Sequence, residues 1–131
     1  MAPRAGALWA HEITLAPERQ SVATARRFVR EHLTGHGLPL LVDDVTLVAS
    51  ELATNALRHS GTVFTVAITA FSEDLVLAVE DGSSSMPVLV DAGLDDVAGR
   101  GLTIVDVLSR EWGVVVGQDV GKSVWAAFDV A

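Results

Sequence analysis

Residues 51–60 read Glu51-Leu52-Ala53-Thr54-Asn55-Ala56-Leu57-Arg58-His59-Ser60, and the rest of the chain is best read outward from them. Positions i and i+4 share a helix face, so the carboxylate of Glu51 and the carboxamide of Asn55 project together. At about 100° per residue, Val42, Val45, Ala49, Leu52 and Ala56 form an apolar stripe. Glu51, Asn55 and Arg58 form a polar stripe beside it. One side of such a helix packs on a core while the other faces a cleft. A base next to a neutral oxygen ligand is what metal-assisted phosphoryl transfer requires. A solvated polar face has the same spacing, so the pair gains meaning only from its surroundings.

The helix carrying this stretch runs from about Leu41 to His59, with Asp43 and Asp44 at its positive end. Upstream, Trp9, His11, Ile13 and Leu15 alternate with Ala10, Glu12 and Thr14, a strand signal. Pro17 suits the first turn of a helix. Val22, Ala25, Phe28, Val29 and Leu33 then recur at helical spacing, and Gly35 and Gly37 end that helix. Downstream, Thr62 to Phe71 and Leu75 to Asp81 read as strands joined by Ser72-Glu73-Asp74. Residues 82–98 form a long connection, a third helix spans Gly101 to about Arg110, and Trp112 to Val116 and Ser123 to Val130 are two more strands. This order predicts an α/β two-layer sandwich: a mixed, mostly antiparallel sheet covered on one face by helices.

Composition narrows the function classes. The chain of 131 residues is expected to be one domain, residues 1–8 being a disordered N-terminus. Hydrophobic residues make up 50% and charged ones 20%, which argues for a packed core. The absence of cysteine excludes disulfides, thiolate metal sites and a cysteine nucleophile. No apolar run is long enough for a membrane span, and Met1 to Ala10 lack the apolar stretch of a signal peptide, so a cytoplasmic location is expected. A net charge of −8 disfavours a nucleic-acid binder. Eight of the nine basic residues are arginine, and Lys122 is the single lysine.

Two further stretches carry possible chemistry. Asp81-Gly82 closes a strand, where a carboxylate can accept hydrogen bonds from an exocyclic amine and glycine lets a planar ligand approach the backbone. Gly99-Arg100-Gly101 precedes a helix, whose free N–H groups favour an anion, and Arg100 can add a charge-assisted contact. Gly117-Gln118-Asp119-Val120-Gly121-Lys122-Ser123 mimics a P-loop but is one residue short. It is followed by the strand-like Val124-Trp125-Ala126-Ala127-Phe128, so it is read as a hairpin turn. The histidines at 11, 32, 36 and 59 have no nucleophile-elbow context.

Taken in order, these pieces resemble the ATP-binding domain of the GHKL, or Bergerat-fold, superfamily. Glu51 to His59 is similar to its N-box, Asp81-Gly82 to its adenine box, and Gly99-Arg100-Gly101-Leu102 to the glycine box that ends an ATP lid, here 82–100. Gly121-Lys122-Ser123-Val124-Trp125 resembles the closing segment. Two departures stand out. The adenine box lacks the second glycine of the wider pattern, and Ser123 stands where threonine is usual. Within the superfamily the chain most resembles the anti-sigma-factor serine kinases. That resemblance implies ATP and Mg²⁺ as cofactors, Asn55 as the metal ligand and Glu51 as the catalytic base. It implies Asp81 and Gly82 at the adenine, Gly99, Arg100, Gly101 and Leu102 at the phosphates, and Arg58, His59 and Ser123 as further nucleotide-site residues. It also implies a STAS-type antagonist as phosphoacceptor, a sigma factor as second partner, and a homodimer, for which the first strand offers an edge. The competing expectation is a non-catalytic, ATP-gated protein-binding module. The ATP-binding domain of a histidine kinase is disfavoured, because no helical hairpin carries an acceptor histidine.

Overall fold

A computed structural model of the chain describes residues 5–82, 97–116 and 121–130, with residues 97–101 defined by their backbone alone. The elements run β1 (Trp9–Leu15), α1 (Gln20–Gly35), a 3₁₀ turn (Pro39–Leu41), α2 (Val42–His59), β2 (Phe64–Ala70), β3 (Asp74–Asp81), α3 (Val97–Leu108), β4 (Glu111–Val116) and β5 (Lys122–Asp129). The strands form one sheet in the order β1-β2-β3-β5-β4, and every pairing is antiparallel. The ladder extends one residue before β1, where Leu8 N–H donates to the Ala70 carbonyl.

Strand alternation sets the two faces. In β2, Phe64, Val66, Ile68 and Ala70 are buried, while Thr65, Ala67 and Thr69 between them are half-buried on the other face. Leu75, Leu77 and Val79 of β3 and Val124, Ala126 and Phe128 of β5 continue the inner face. The helices cover it. α1 contributes Ala25, Val29 and Leu33. α2 lies between α1 and α3 and also meets β2 and β3, so its apolar side is broader than one stripe and takes in Val48 and Ala53 as well. Each fully buried Val, Leu, Ile or Phe in this layer contributes about 1.5–3 kcal/mol.

The end of α1 is tightly specified. Leu38 N–H donates to the Leu33 carbonyl at 2.8 Å and Gly37 N–H to that of Thr34 at 3.1 Å. Gly37 has φ +75. This is a Schellman cap, which needs a residue free of a Cβ at the left-handed position. Leu38 packs on the core beyond it. The cap fixes His32 and His36 beside β1, where His11 lies. Half-burial lowers the proton affinity of His32, and the neighbouring His11 and His36 add to that effect.

α3 begins at Val97, before the expected start at Gly101. Glycine was expected to precede this helix, yet a helix's first turn tolerates it, because the N–H groups there have no intrahelical partner in any case. Of the expected lid, residues 83–96 lie outside the described residues, as do Gly117 to Val120 of the β4–β5 turn.

Candidate active site

Glu51 and Asn55 sit on α2 one turn apart, both half-buried, while Leu52, Ala53 and Ala56 point into the core. Partial burial holds the Glu51 carboxyl above the usual carboxylate range. A carboxyl so placed accepts a proton more readily than an exposed one, as a general base requires. Arg58 and His59 belong to the last turn of α2 and are both exposed. They make no contact that joins them to the other candidate residues among those described.

The end of α2 is tied to the adenine-box strand through hydroxyls. Ser60 Oγ donates to the Ala56 carbonyl at 2.8 Å, and Thr62 N–H donates to Ser60 Oγ at 3.2 Å. Gly82 N–H then donates to Thr62 Oγ1 at 2.9 Å. A Cβ on Gly82 would fall 2.9 Å from that same Oγ1 atom. Glycine is therefore required for this approach to Thr62, a contact within the chain and not the approach of a planar ligand expected of it.

Asp81 ends β3 on the inner face, only 6% exposed. Its carboxylate is met by Lys122, 5% exposed, whose Nζ donates to Oδ2 at 2.9 Å and to Oδ1 at 3.2 Å. The two residues are cross-strand partners at the end of the β3–β5 ladder. Gly121 precedes Lys122 with φ +107, and a Cβ there would come 2.7 Å from the Asp81 carbonyl oxygen. A side chain at 121 is thus excluded twice, by backbone conformation and by contact.

Ser123 is placed differently from expectation. It pairs with Glu80, one position along, and successive strand residues face opposite sides of the sheet. Ser123 therefore shares a face with Glu80 and Trp125, and Lys122 is the residue beside Asp81. Neither the P-loop-like turn nor the likeness to a closing segment gave Lys122 a role of its own. Its being the single lysine of the chain was a signal, but only the strand register gives it a role.

Leu102 also departs from expectation. Its side chain is 1% exposed, so it seats α3 rather than presenting itself to a ligand. Gly99, Arg100 and Gly101 lie within the first two turns of α3, with the Arg100 side chain outside the described residues. The backbone N–H groups of Val97 to Arg100 are the ones an α-helix leaves without internal partners. A concavity of about 290 Å³ lined by Leu41, Asp44, Leu108, Arg110, Phe128 and Asp129 lies at the other end of the β3–β5 pair. It contains none of the candidate residues, and its charged side chains Arg110 and Asp129 are paired with each other.

The antiparallel sheet, the helical layer and the ordered boxes define a GHKL-type ATP-binding α/β sandwich. The chain belongs to the histidine kinase-like ATPase domain family, whose model matches residues 15–128. Among curated proteins none matches the chain in sequence. Among solved structures, the RsbU and RsbW domains of Rv1364c from Mycobacterium tuberculosis are similar in fold. The TM-score is 0.70 and the identity 20%, over 91% of this chain and 32% of that one. The present chain thus spans about a third of that protein chain. Family membership implies ATP as the nucleotide, and the residue set fits it. Glu51 and Asn55 supply oxygen donors of the kind Mg²⁺ prefers. A carboxylate has about four acceptor sites. Lys122 takes one on each Asp81 oxygen, so this pairing does not by itself close the group to an adenine amine.

Proposed function

We propose that the chain is an ATP-dependent protein serine kinase of the anti-sigma-factor type, phosphorylating a STAS-type antagonist and sequestering a sigma factor when that antagonist is unavailable. The observation that carries this reading is Glu51: a half-buried carboxyl raised above its usual range, one turn from Asn55. A module that only sensed nucleotide would have no use for a base there. In the proposed reaction Glu51 accepts the proton of the attacking serine hydroxyl. The serine oxygen bonds to the γ-phosphorus as the bond to the β–γ bridging oxygen breaks, and ADP leaves. Positioning and electrostatic stabilisation carry most of such a transfer. Asn55 would hold Mg²⁺, which supplies charge neutralisation at the phosphates when bound. Asp81, oriented by Lys122, would accept from the adenine amine, and the first turns of α3 would face the phosphates. β1 is an edge strand of the sheet, which supports its use in a homodimer.

The test is incubation of the full chain with Mg–ATP and a STAS-domain protein, followed by phosphosite mapping. Phosphoserine is expected with the unaltered chain and its near-complete loss with Glu51→Gln, at nearly unchanged ATP affinity. Transfer by Glu51→Gln at the unaltered rate would remove Glu51 as the base. Partner binding gated by ATP but without phosphoserine would establish the non-catalytic module instead.

A further inference from the structure

Three of the four histidines in the chain converge at a place that the nucleotide chemistry does not use. His11 comes from β1, His32 from the last turn of α1, and His36 from the residue capping that helix. Their ring nitrogens all lie within 4.8 Å of one another. The closest pair, His11 Nε2 and His36 Nε2, is 3.0 Å apart. The His11 and His32 rings stack at 3.8 Å, and Trp9 stacks on His36 at 3.9 Å.

We propose that His11, His32 and His36 form a binding site for a divalent transition-metal ion of the zinc type. The donor set selects the ion. Imidazole nitrogens suit zinc, copper, nickel and cobalt, whereas Mg²⁺ demands oxygen. The spacing suits it as well. Zinc–nitrogen bonds are about 2.0–2.1 Å, which places two tetrahedral ligand atoms about 3.3 Å apart. The 3.0 Å pair already stands near that separation, and binding would turn the His32 ring out of its stack on His11, so that the in-plane nitrogens of all three rings converge. His32 and His36 stand at i and i+4, the spacing by which one helical turn presents two metal-binding imidazoles. The Schellman cap at Gly37 holds that turn rigidly, and Trp9 backs the ring of His36. Three nitrogens leave the fourth position to water. Functionally the ion would pin the edge strand β1 to the end of α1, adding binding energy to the folded state only. The site is independent of the kinase reading.

The experiment uses the full chain without a histidine tag, stripped with EDTA. Zn²⁺ is titrated by calorimetry and Co²⁺ by its visible absorption. Expected are saturation at one equivalent, the visible bands of low-coordinate Co²⁺, a metal-dependent rise in Tm reversed by EDTA, and no competition from Mg²⁺. His32→Gln and His36→Gln should each weaken Zn²⁺ by at least about tenfold, since even the loss of a ligand's outer partner costs that much. His59→Gln should bind as the unaltered chain does. His36 is exposed, so its variant keeps the fold, and the metal-free Tm verifies this. Absence of saturable binding would overturn the site and leave a stack of aromatic rings. Affinity unchanged in both His32→Gln and His36→Gln would overturn it equally.

Discussion

Strand β3 begins and ends on a buried aspartate, and the two are partnered in opposite ways. Asp74, 2% exposed, is met by Arg110 at 2.8 Å. Arg110 also reaches Asp129 at 2.8 Å and Glu111 at 3.1 Å, and its own side chain is 38% exposed. These carboxylates, Asp74 first, hold the Arg110 proton more firmly than usual. Asp81, at the far end, is met by Lys122 with both side chains withdrawn from water. In the first arrangement a solvent-reached arginine is shared between one buried acid and two exposed ones. The second is a desolvated ion pair, in which removing one charge leaves the other buried. The chain places the solvent-reached cation at the end of the sheet without candidate chemistry and the buried one at the candidate nucleotide end. A carboxylate held by a buried lysine is oriented before any ligand arrives.

The contrast is most exposed to test at Lys122. Lys122→Met removes the buried charge that balances the Asp81 carboxylate and should cost roughly 3–5 kcal/mol in urea unfolding. A cost near that of a surface substitution would erase the distinction between the two ends. Lys122→Met combined with Asp81→Leu should regain most of the loss, because replacing a buried pair by apolar groups is often neutral. Gly121→Ala comes next, at about 2 kcal/mol, from the strain of positive φ and the contact with the Asp81 carbonyl. Its ATP affinity should fall alongside, whereas equal ATP affinity would separate the turn from the site. Arg110→Gln should lower Tm less than Lys122→Met does, and its own loss should shrink in high salt. A large, salt-independent loss would make the two ends alike.

The smallest effect concerns Glu51. Its carboxyl is raised in the folded state, so the folded chain binds a proton there more readily than the unfolded chain does. Stability from this group therefore falls as pH rises through the window between the unfolded and folded values. Glu51→Gln, which mimics the protonated form, should be slightly more stable at neutral pH and lose that advantage as pH drops through the window. A pH-independent difference between the two proteins would remove the desolvation argument.

The helical and strand periodicities made most of the fold legible. α2 was expected from about Leu41 to His59 and runs Val42–His59, because its apolar spacing is unbroken and its acidic first turn marks the start. The end of α1 was likewise readable from its glycines. The start of α3 was misplaced because glycine in a first turn reads like a glycine before one. Of the candidate residues, the positions of Glu51 and Asn55 on one helix and of Asp81 at a strand end were legible, since each follows a local pattern. Ser123 was chosen over Lys122 by motif likeness, and a one-residue difference in a strand exchanges the faces of the sheet.

By itself, then, the sequence determined the two-layer fold, the shared face of Glu51 and Asn55 and the strand-end carboxylate, because all of these follow from local period. Only the tertiary structure decided that Lys122 answers Asp81, that Thr62 holds Gly82, and that His11 meets the distant pair His32 and His36 at one point. Those contacts depend on cross-strand register and on how a helix end docks beside an edge strand. Both are set by long-range packing, which no local period encodes.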